Sequence, residues 1–113
     1  MSAQGPVVLV GLPGAGKSKV GRLLAERLGV DHIDTDALVV EREGRSIADI
    51  FATDGEAAFR VMETEAVAEA LTHEAVVSLG GGAAATPAVR NLLSGRTVVY
   101  IDAPYEELVR RTA

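Results

Sequence analysis

The stretch that most constrains this chain lies near its N-terminus, at residues 11–18, which read GLPGAGKS. It fits the pattern G-x-x-x-x-G-K-[ST], a glycine-rich loop that wraps phosphate groups and is known as the P-loop. An apolar run at residues 7–10 precedes it, and apolar residues at helical spacing follow it as far as Gly29. The motif needs a strand before the loop and a helix after it, so this context favours a phosphate site. The alternative is an ordinary glycine turn.

The residue types of this loop suit phosphate binding. Glycine adopts backbone angles closed to other residues and leaves no side chain in the way, so successive N–H groups can turn toward an anion. The following helix adds partial positive charge at its N-terminus. We expect Lys17 to contact the outer phosphates of ATP and the Ser18 hydroxyl to bind Mg2+. The candidate nucleotide-binding residues of the loop are Gly11, Gly14, Ala15, Gly16, Lys17 and Ser18.

Composition narrows the range of functions. The 113 residues predict one domain, over residues 1–113, with a net charge of −5. This charge argues against nucleic acid or an anionic membrane as the main binding partner. The absence of cysteine excludes a disulfide, a zinc–thiolate site and a thiol nucleophile. No signal peptide is recognisable and no apolar stretch approaches the ~20 residues of a membrane span, so the cytoplasm is the expected compartment.

Strand and helix patterns alternate along the chain. Four strands are predicted: apolar runs indicate those at residues 7–10, 75–79 and 97–101, and residues 31–36 form a short second strand that ends in carboxylates. The longest predicted helix covers residues 56–72, and a last helix begins at residue 102. The expected buried stripe of the longest helix is Phe59, Met62, Ala66 and Ala70. This order predicts an α/β fold, a three-layer αβα sandwich with a mainly parallel sheet of the P-loop NTPase type.

Ligands of such sheets bind beyond the carboxyl ends of the strands. The predicted second strand ends in Asp34-Thr35-Asp36, whose two carboxylates would point the same way in an extended chain. One carboxylate would hold the water shell of a metal, and the other would orient or deprotonate an acceptor hydroxyl. The alternative is an acidic turn that caps the next helix. Gly80-Gly81-Gly82 follows the third strand, where backbone can approach a ligand closely unless the segment is only a connector.

Arg60 lies four residues after Glu56 and three before Glu63. This spacing alone favours surface ion pairs on a helix, each worth only about 0.3–0.5 kcal/mol. The functional alternative is that Arg60 presents its planar guanidinium to a substrate carboxylate and that Glu63 holds it in place. His32 and His73 have no metal-binding partner at a useful spacing, so we expect both to be structural or exposed.

Together these segments resemble the shikimate kinase family. The matching residues are 11–18, Asp34-Thr35-Asp36, the run GRSIADIF at 44–51, Phe59-Arg60 with Glu63, and LGGG at 79–82. Shikimate kinases transfer the γ-phosphoryl group of ATP to the 3-hydroxyl of shikimate with Mg2+. The resemblance implies that Lys17 and the loop amides bind phosphates and that Ser18 with Asp34 serves Mg2+.

The resemblance also implies roles on the acceptor side. Asp36 would contact the reacting hydroxyl as the base, and Arg60 would pair with the shikimate carboxylate with support from Glu63. The residues that would close the substrate pocket are Gly80, Gly81 and Gly82. Arg111 matches a family arginine near the adenine.

Two features depart from the family pattern. Lys19 stands where the family usually has a threonine that meets the α-phosphate. The family also continues past residue 113 into a lid loop with a catalytic arginine, a second substrate-binding arginine, a fifth strand and a final helix. We therefore expect this chain alone to bind nucleotide but to phosphorylate slowly or not at all. The family form is expected to be a monomer, whereas residues 98–101 would here form an exposed apolar edge open to self-association.

Two other functions remain open from the sequence. One is a nucleotide-binding module without turnover. The other is a different small P-loop kinase, of the gluconate or nucleoside monophosphate type, against which Arg60 and the triple glycine weigh.

Overall fold

The computed structural model describes residues 5–11, 17–80 and 82–101. They form four strands and five α-helices, together with a short 3-10 helix at Ala83–Ala85. The elements in chain order are β1 (Val7–Gly11), α1 (Lys17–Leu28), β2 (Asp31–Asp34), α2 (Thr35–Glu43), α3 (Ile47–Asp54), α4 (Glu56–Ala70), β3 (Ala75–Ser78), α5 (Pro87–Leu93) and β4 (Thr97–Ile101). The predicted last helix, with Arg111, lies outside these residues. No helix in the part that the structure describes is long and apolar enough to cross a bilayer.

All four strands run parallel, in the order β2-β3-β1-β4. The central strands β1 and β3 are apolar on both faces, as expected of strands covered by helices on both sides. Val8 and Val77 pack with α4 and α5, whereas Leu9 and Val76 pack with α1. The predicted αβα sandwich with a parallel sheet is therefore confirmed.

Helix α1 approaches the sheet closely at Gly21. A Cβ atom there would lie 2.6 Å from Nε2 of His32 on β2 and 2.9 Å from Oγ of Ser78 on β3. Those two side-chain atoms are hydrogen-bonded to each other at 2.8 Å. Glycine at this point of the helix therefore leaves room for a polar contact between two strands.

Helices α2, α3 and α4 pack on one another through a separate apolar cluster. Its buried members are Val39, Ile50, Phe59 and Ala66, with Met62 packed against them. The predicted stripe of α4 is confirmed, but it also contains Glu63, which is almost fully buried. This charged residue in an apolar stripe was not predicted.

The prediction that the second strand extends to Asp36 is wrong. Strand β2 ends at Asp34, and α2 begins at Thr35. The cause is local, because Oδ1 of Asp34 accepts the N–H groups of Asp36 at 2.9 Å and Ala37 at 3.1 Å. Asp34 thus caps a helix that contains Asp36, and the two carboxylates do not share one face of an extended strand.

Strand β4 forms one edge of the sheet, and among the described residues it pairs with β1. Val98 and Val99 are each 41% exposed and Tyr100 is 61% exposed, as the sequence predicts for an uncovered edge. Ile101 is buried with Leu9, so the predicted exposure is wrong at that residue. The side chain of Ile101 lies on the face of the sheet that α1 covers, where it packs with Leu9 and Ala25.

Candidate active site

The carboxyl ends of three strands lie side by side. Asp34 at the end of β2 is in register with Ser78 at the end of β3, and Ser78 is in register with Leu9 of β1. Leu79 continues the contact by donating its N–H to the Leu9 carbonyl at 3.0 Å. Three segments therefore lie together at the carboxyl end of the sheet. They are the phosphate-loop motif, the Asp34–Asp36 segment and the glycines after β3.

The described part of the phosphate loop is its two ends. Gly11 is the last residue of β1, and Lys17 and Ser18 open helix α1. Gly14, Ala15 and Gly16 lie outside the described residues. Gly11 is needed for a reason other than phosphate, because a Cβ atom there would overlap the backbone oxygen of Ile101 on β4.

Asp34 uses one carboxylate oxygen, Oδ1, for both of its capping hydrogen bonds. The capping role that the sequence offered as an alternative is therefore present in the structure. Within residues 5–11, 17–80 and 82–101 there is no group of three or more His, Asp or Glu side chains that could enclose a metal ion.

The carboxylate of Asp36 lies directly against Gly80. A Cβ atom on residue 80 would lie 2.6 Å from Cγ of Asp36 and would overlap its Oδ1. Glycine is therefore required for Asp36 to reach this position. The contact brings the end of β3 and the start of α2 together around a carboxylate.

Arg60 and Glu63 form an ion pair on α4 whose carboxylate end is buried. Nη1 of Arg60 donates to both carboxylate oxygens of Glu63, at 3.0 and 3.2 Å, and Nη2 lies 3.4 Å from Oε2 of Glu56. The Glu63 side chain is 1% exposed and that of Arg60 is 28% exposed. The pair is therefore not the surface pair that the spacing alone favours.

Two neighbours hold the guanidinium of Arg60 in place. A Cβ atom on Gly82 would lie 2.7 Å from its Nη2 and 3.0 Å from its Nη1, so the group rests on glycine backbone. Its Cζ also lies 5.3 Å from the ring centroid of Phe59, within cation–π range. Gly81, between the two glycines that contact Asp36 and Arg60, lies outside the described residues.

The electrostatics link these groups. Burial raises the pKa of Glu63, the ion pair with Arg60 opposes that rise, and the negative charge of Asp36 adds to it. Burial works against the charge of Arg60, but Glu63 and Glu56 outweigh it and leave the pKa of Arg60 above its usual value. Glu63 thus lies within electrostatic reach of both Asp36 and Arg60.

Two threonines at this edge were not predicted as site residues. Thr35 is fully buried, and its Oγ1 bridges the backbone of Ser78 and Gly80. Thr86, the residue before α5, makes no capping side-chain bond, and its hydroxyl is one of the groups that lower the pKa of Glu63. The sequence signal for Thr35 was its place between two aspartates at a strand end.

The prediction that His32 and His73 are structural or exposed is confirmed. Nε2 of His32 contacts Oγ of Ser78, and burial lowers the pKa of His32. His73 is exposed in the turn after α4.

A parallel sheet of this order, with the P-loop motif after a central strand, places the chain among the P-loop nucleotide-binding folds. Residues 13–113 match the family model for shikimate kinase, and the chain belongs to the shikimate kinase family. It is 58% identical over 106 residues to the shikimate kinase of Mycobacterium avium (strain 104), a match that covers 93% of this chain and 60% of that protein. The chain thus spans about 60% of the length of the curated relatives it matches.

Solved structures give the same family. A shikimate kinase from Acinetobacter baumannii in complex with shikimate superposes with a TM-score of 0.83 at 40% identity, over 96% of this chain and 62% of that one. The shikimate kinase from Aquifex aeolicus vf5 gives a TM-score of 0.80 at 40% identity, over 92% of this chain and 63% of that one.

Proposed function

We propose that this chain carries the nucleotide side and most of the acceptor side of a shikimate kinase, which transfers the γ-phosphoryl group of ATP to the 3-hydroxyl of shikimate. The observation that carries the proposal is the convergence of Asp36, the Arg60–Glu63 pair and two glycines beside the strand that leads into the P-loop motif. An anionic, hydroxyl-bearing acceptor suits this combination of a held guanidinium and a nearby carboxylate.

On the nucleotide side, the loop amides and Lys17 would bind the ATP phosphates, with Lys19 as an exposed second cation on α1 and Arg111 near the adenine. Ser18 and Asp34 are hard oxygen donors, which suits Mg2+. Because capping occupies Oδ1 of Asp34, its second oxygen would serve the ion or its water shell. When bound, Mg2+ would neutralise charge on the phosphates.

On the acceptor side, Arg60 would bind the shikimate carboxylate. Glu63 holds the guanidinium in place, and the Arg60 side chain remains 28% exposed. A substrate carboxylate could therefore reach a cation that is already positioned, with little loss of conformational entropy on binding. Asp36 would accept the proton of the 3-hydroxyl as the new O–P bond forms and the bond to the ADP oxygen breaks. The backbone of Gly80, Gly81 and Gly82 would close the pocket around the acceptor.

Turnover by this chain alone is a separate part of the proposal. Because the chain spans about 60% of its relatives' length, we expect nucleotide binding to be retained more fully than phosphoryl transfer. The proposed reaction belongs to the cytoplasm, and the proposed form is a monomer unless the β4 edge associates.

Calorimetry with ATP and Mg2+, followed by shikimate, tests the proposal beside a coupled assay for ADP release. We expect shikimate to bind and Arg60→Gln to weaken that binding by about a hundredfold while ATP affinity changes less than about twofold, since a charge-assisted pair is lost. Arg90→Gln, at an exposed arginine of α5, is the matched control. ATP binding without shikimate binding would favour the module without turnover, and competition by gluconate or a nucleoside monophosphate would favour the other kinases.

A further inference from the structure

We propose that Thr35 is a positioning residue that sets the spacing between the Asp36 carboxylate and the glycine backbone on the acceptor side of the site. Its hydroxyl donates to the carbonyl of Ser78 at 3.4 Å and accepts the N–H of Gly80 at 3.2 Å. One oxygen thus bonds the backbone on both sides of Leu79, where β3 leaves the sheet.

This hydroxyl continues the link between β2 and β3 beyond the last backbone pair. The last paired residues of β2 and β3 are Asp34 and Ser78. At the next residue the chain turns into α2, so the Thr35 backbone can no longer pair with β3. The side chain makes the next link instead, and it is completely buried, which makes both hydrogen bonds hard for water to replace.

The link acts on Asp36 through its immediate neighbour. Thr35 and Asp36 are the first two residues of α2, and the Asp36 carboxylate occupies the space where Gly80 would carry a Cβ atom. The hydrogen bond from Gly80 and the contact of Asp36 with Gly80 therefore fix the same two segments against each other. A displacement of Gly80 that weakens its hydrogen bond to Thr35 would therefore also change its contact with the Asp36 carboxylate.

The same link reaches the Arg60 side of the pocket. The Gly80 carbonyl accepts the N–H of Ala83 at 3.1 Å, which fixes the short turn that contains Gly82. Gly82 in turn supports the guanidinium of Arg60. Thr35 thus positions the segment between the proposed base and the proposed carboxylate-binding arginine, a role that rests on the proposed function for its effect on shikimate.

The test compares Thr35→Val, which replaces the hydroxyl by a methyl group, with Thr35→Ser, which keeps it. We expect Thr35→Val to weaken shikimate binding about tenfold, to leave ATP binding within about twofold, and to speed hydrogen exchange of the Gly80 amide about tenfold. Thr35→Ser should keep all three close to the original chain. Thr35→Ala is measured beside them because it places no methyl group against Gly80. Thr72→Val, which removes an exposed hydroxyl bonded to the Glu69 carbonyl, is the matched control.

The outcomes separate this inference from the proposed function. If the original chain binds no shikimate, the proposed function fails, and Gly80 exchange still decides whether Thr35 holds the glycine backbone. Unchanged Gly80 exchange in folded Thr35→Val and Thr35→Ala would overturn the inference. Equal losses of shikimate and ATP affinity, in proportion to lost stability, would also overturn it, because they would mean that Thr35 supports only the fold.

Discussion

The two edge strands of the sheet, β2 and β4, differ in what they expose. β2 carries Asp31, His32 and Asp34, and its last residue caps the helix that brings Asp36 to Gly80. β4 exposes Val98, Val99 and Tyr100 and bears no charge. Charged side chains discourage an edge from pairing with another chain, whereas an apolar edge invites it. Of the proposed acceptor-side residues, Asp36 thus follows the charged edge strand, and buried polar contacts of Thr35 and Glu63 hold this side of the candidate site.

The largest effect should come from breaking the ion pair on the acceptor side. Arg60→Ala leaves the buried Glu63 carboxylate without its main partner and should cost about 3 kcal/mol in the free energy of unfolding at neutral pH. Urea denaturation measures this cost. The double variant Arg60→Met with Glu63→Leu should recover much of the loss, since it removes the unpaired charge. A loss below about 1 kcal/mol for Arg60→Ala, typical of exposed pairs, would contradict the claim that buried polar contacts hold this side of the candidate site.

A smaller effect is expected where α1 approaches β2. Gly21→Ala would press a methyl group against His32 and Ser78, and overpacking of this kind costs about 1–3 kcal/mol. The better helix propensity of alanine returns about 1 kcal/mol, so the net loss should be at most about 2 kcal/mol. Combining it with His32→Ala should give less than the sum of the two single losses, because the same contact is relieved. Additive losses would show that the close approach is not the cause.

The pH dependence of stability tests whether the carboxylate of Glu63 is buried in the folded chain. Its pKa is higher in the folded chain than the ordinary value of 4.5, so the folded chain holds this proton more tightly than the unfolded chain does. The contribution of Glu63 to the free energy of unfolding is therefore full below pH 4.5 and is lost as the pH rises through the higher pKa of the folded chain. Relative to Glu63→Gln, the original chain should therefore lose stability over that window. Glu65→Gln, on the exposed face of α4, should leave the slope unchanged.

The smallest effect on stability should come from the β4 edge. Val99→Lys changes an exposed side chain and should alter the free energy of unfolding by no more than about 0.5 kcal/mol. If the edge self-associates, the lysine should abolish the concentration dependence of the sedimentation coefficient. Strong hydrogen-exchange protection of residues 98–101 in a proven monomer would argue against an open edge.

The sequence predicted the fold well because its signals are local. Apolar runs located β1, β3 and β4, helical spacing located α1 and α4, and the glycine loop gave the general position of the candidate site. The error at Asp34-Thr35-Asp36 arose because an aspartate after a strand can either extend it or cap a helix, and both fit the same letters.

The contacts that complete the site depend on distant parts of the chain. Spacing on α4 indicated that Arg60 pairs with Glu63, but burial of that pair depends on what packs against the helix. The bond between Thr35 and Gly80 joins residues 45 positions apart, so no local pattern could reveal it. The order of the strands was likewise beyond the sequence pattern.

The close approach of Gly11 to Ile101 has a consequence for how variation at the P-loop motif should be interpreted. In a scan that selected only for correct folding, with no nucleotide present, this position should still reject every side chain, because the adjoining strand fills the space. Intolerance at the first glycine of the motif therefore reports on sheet assembly as well as on ATP.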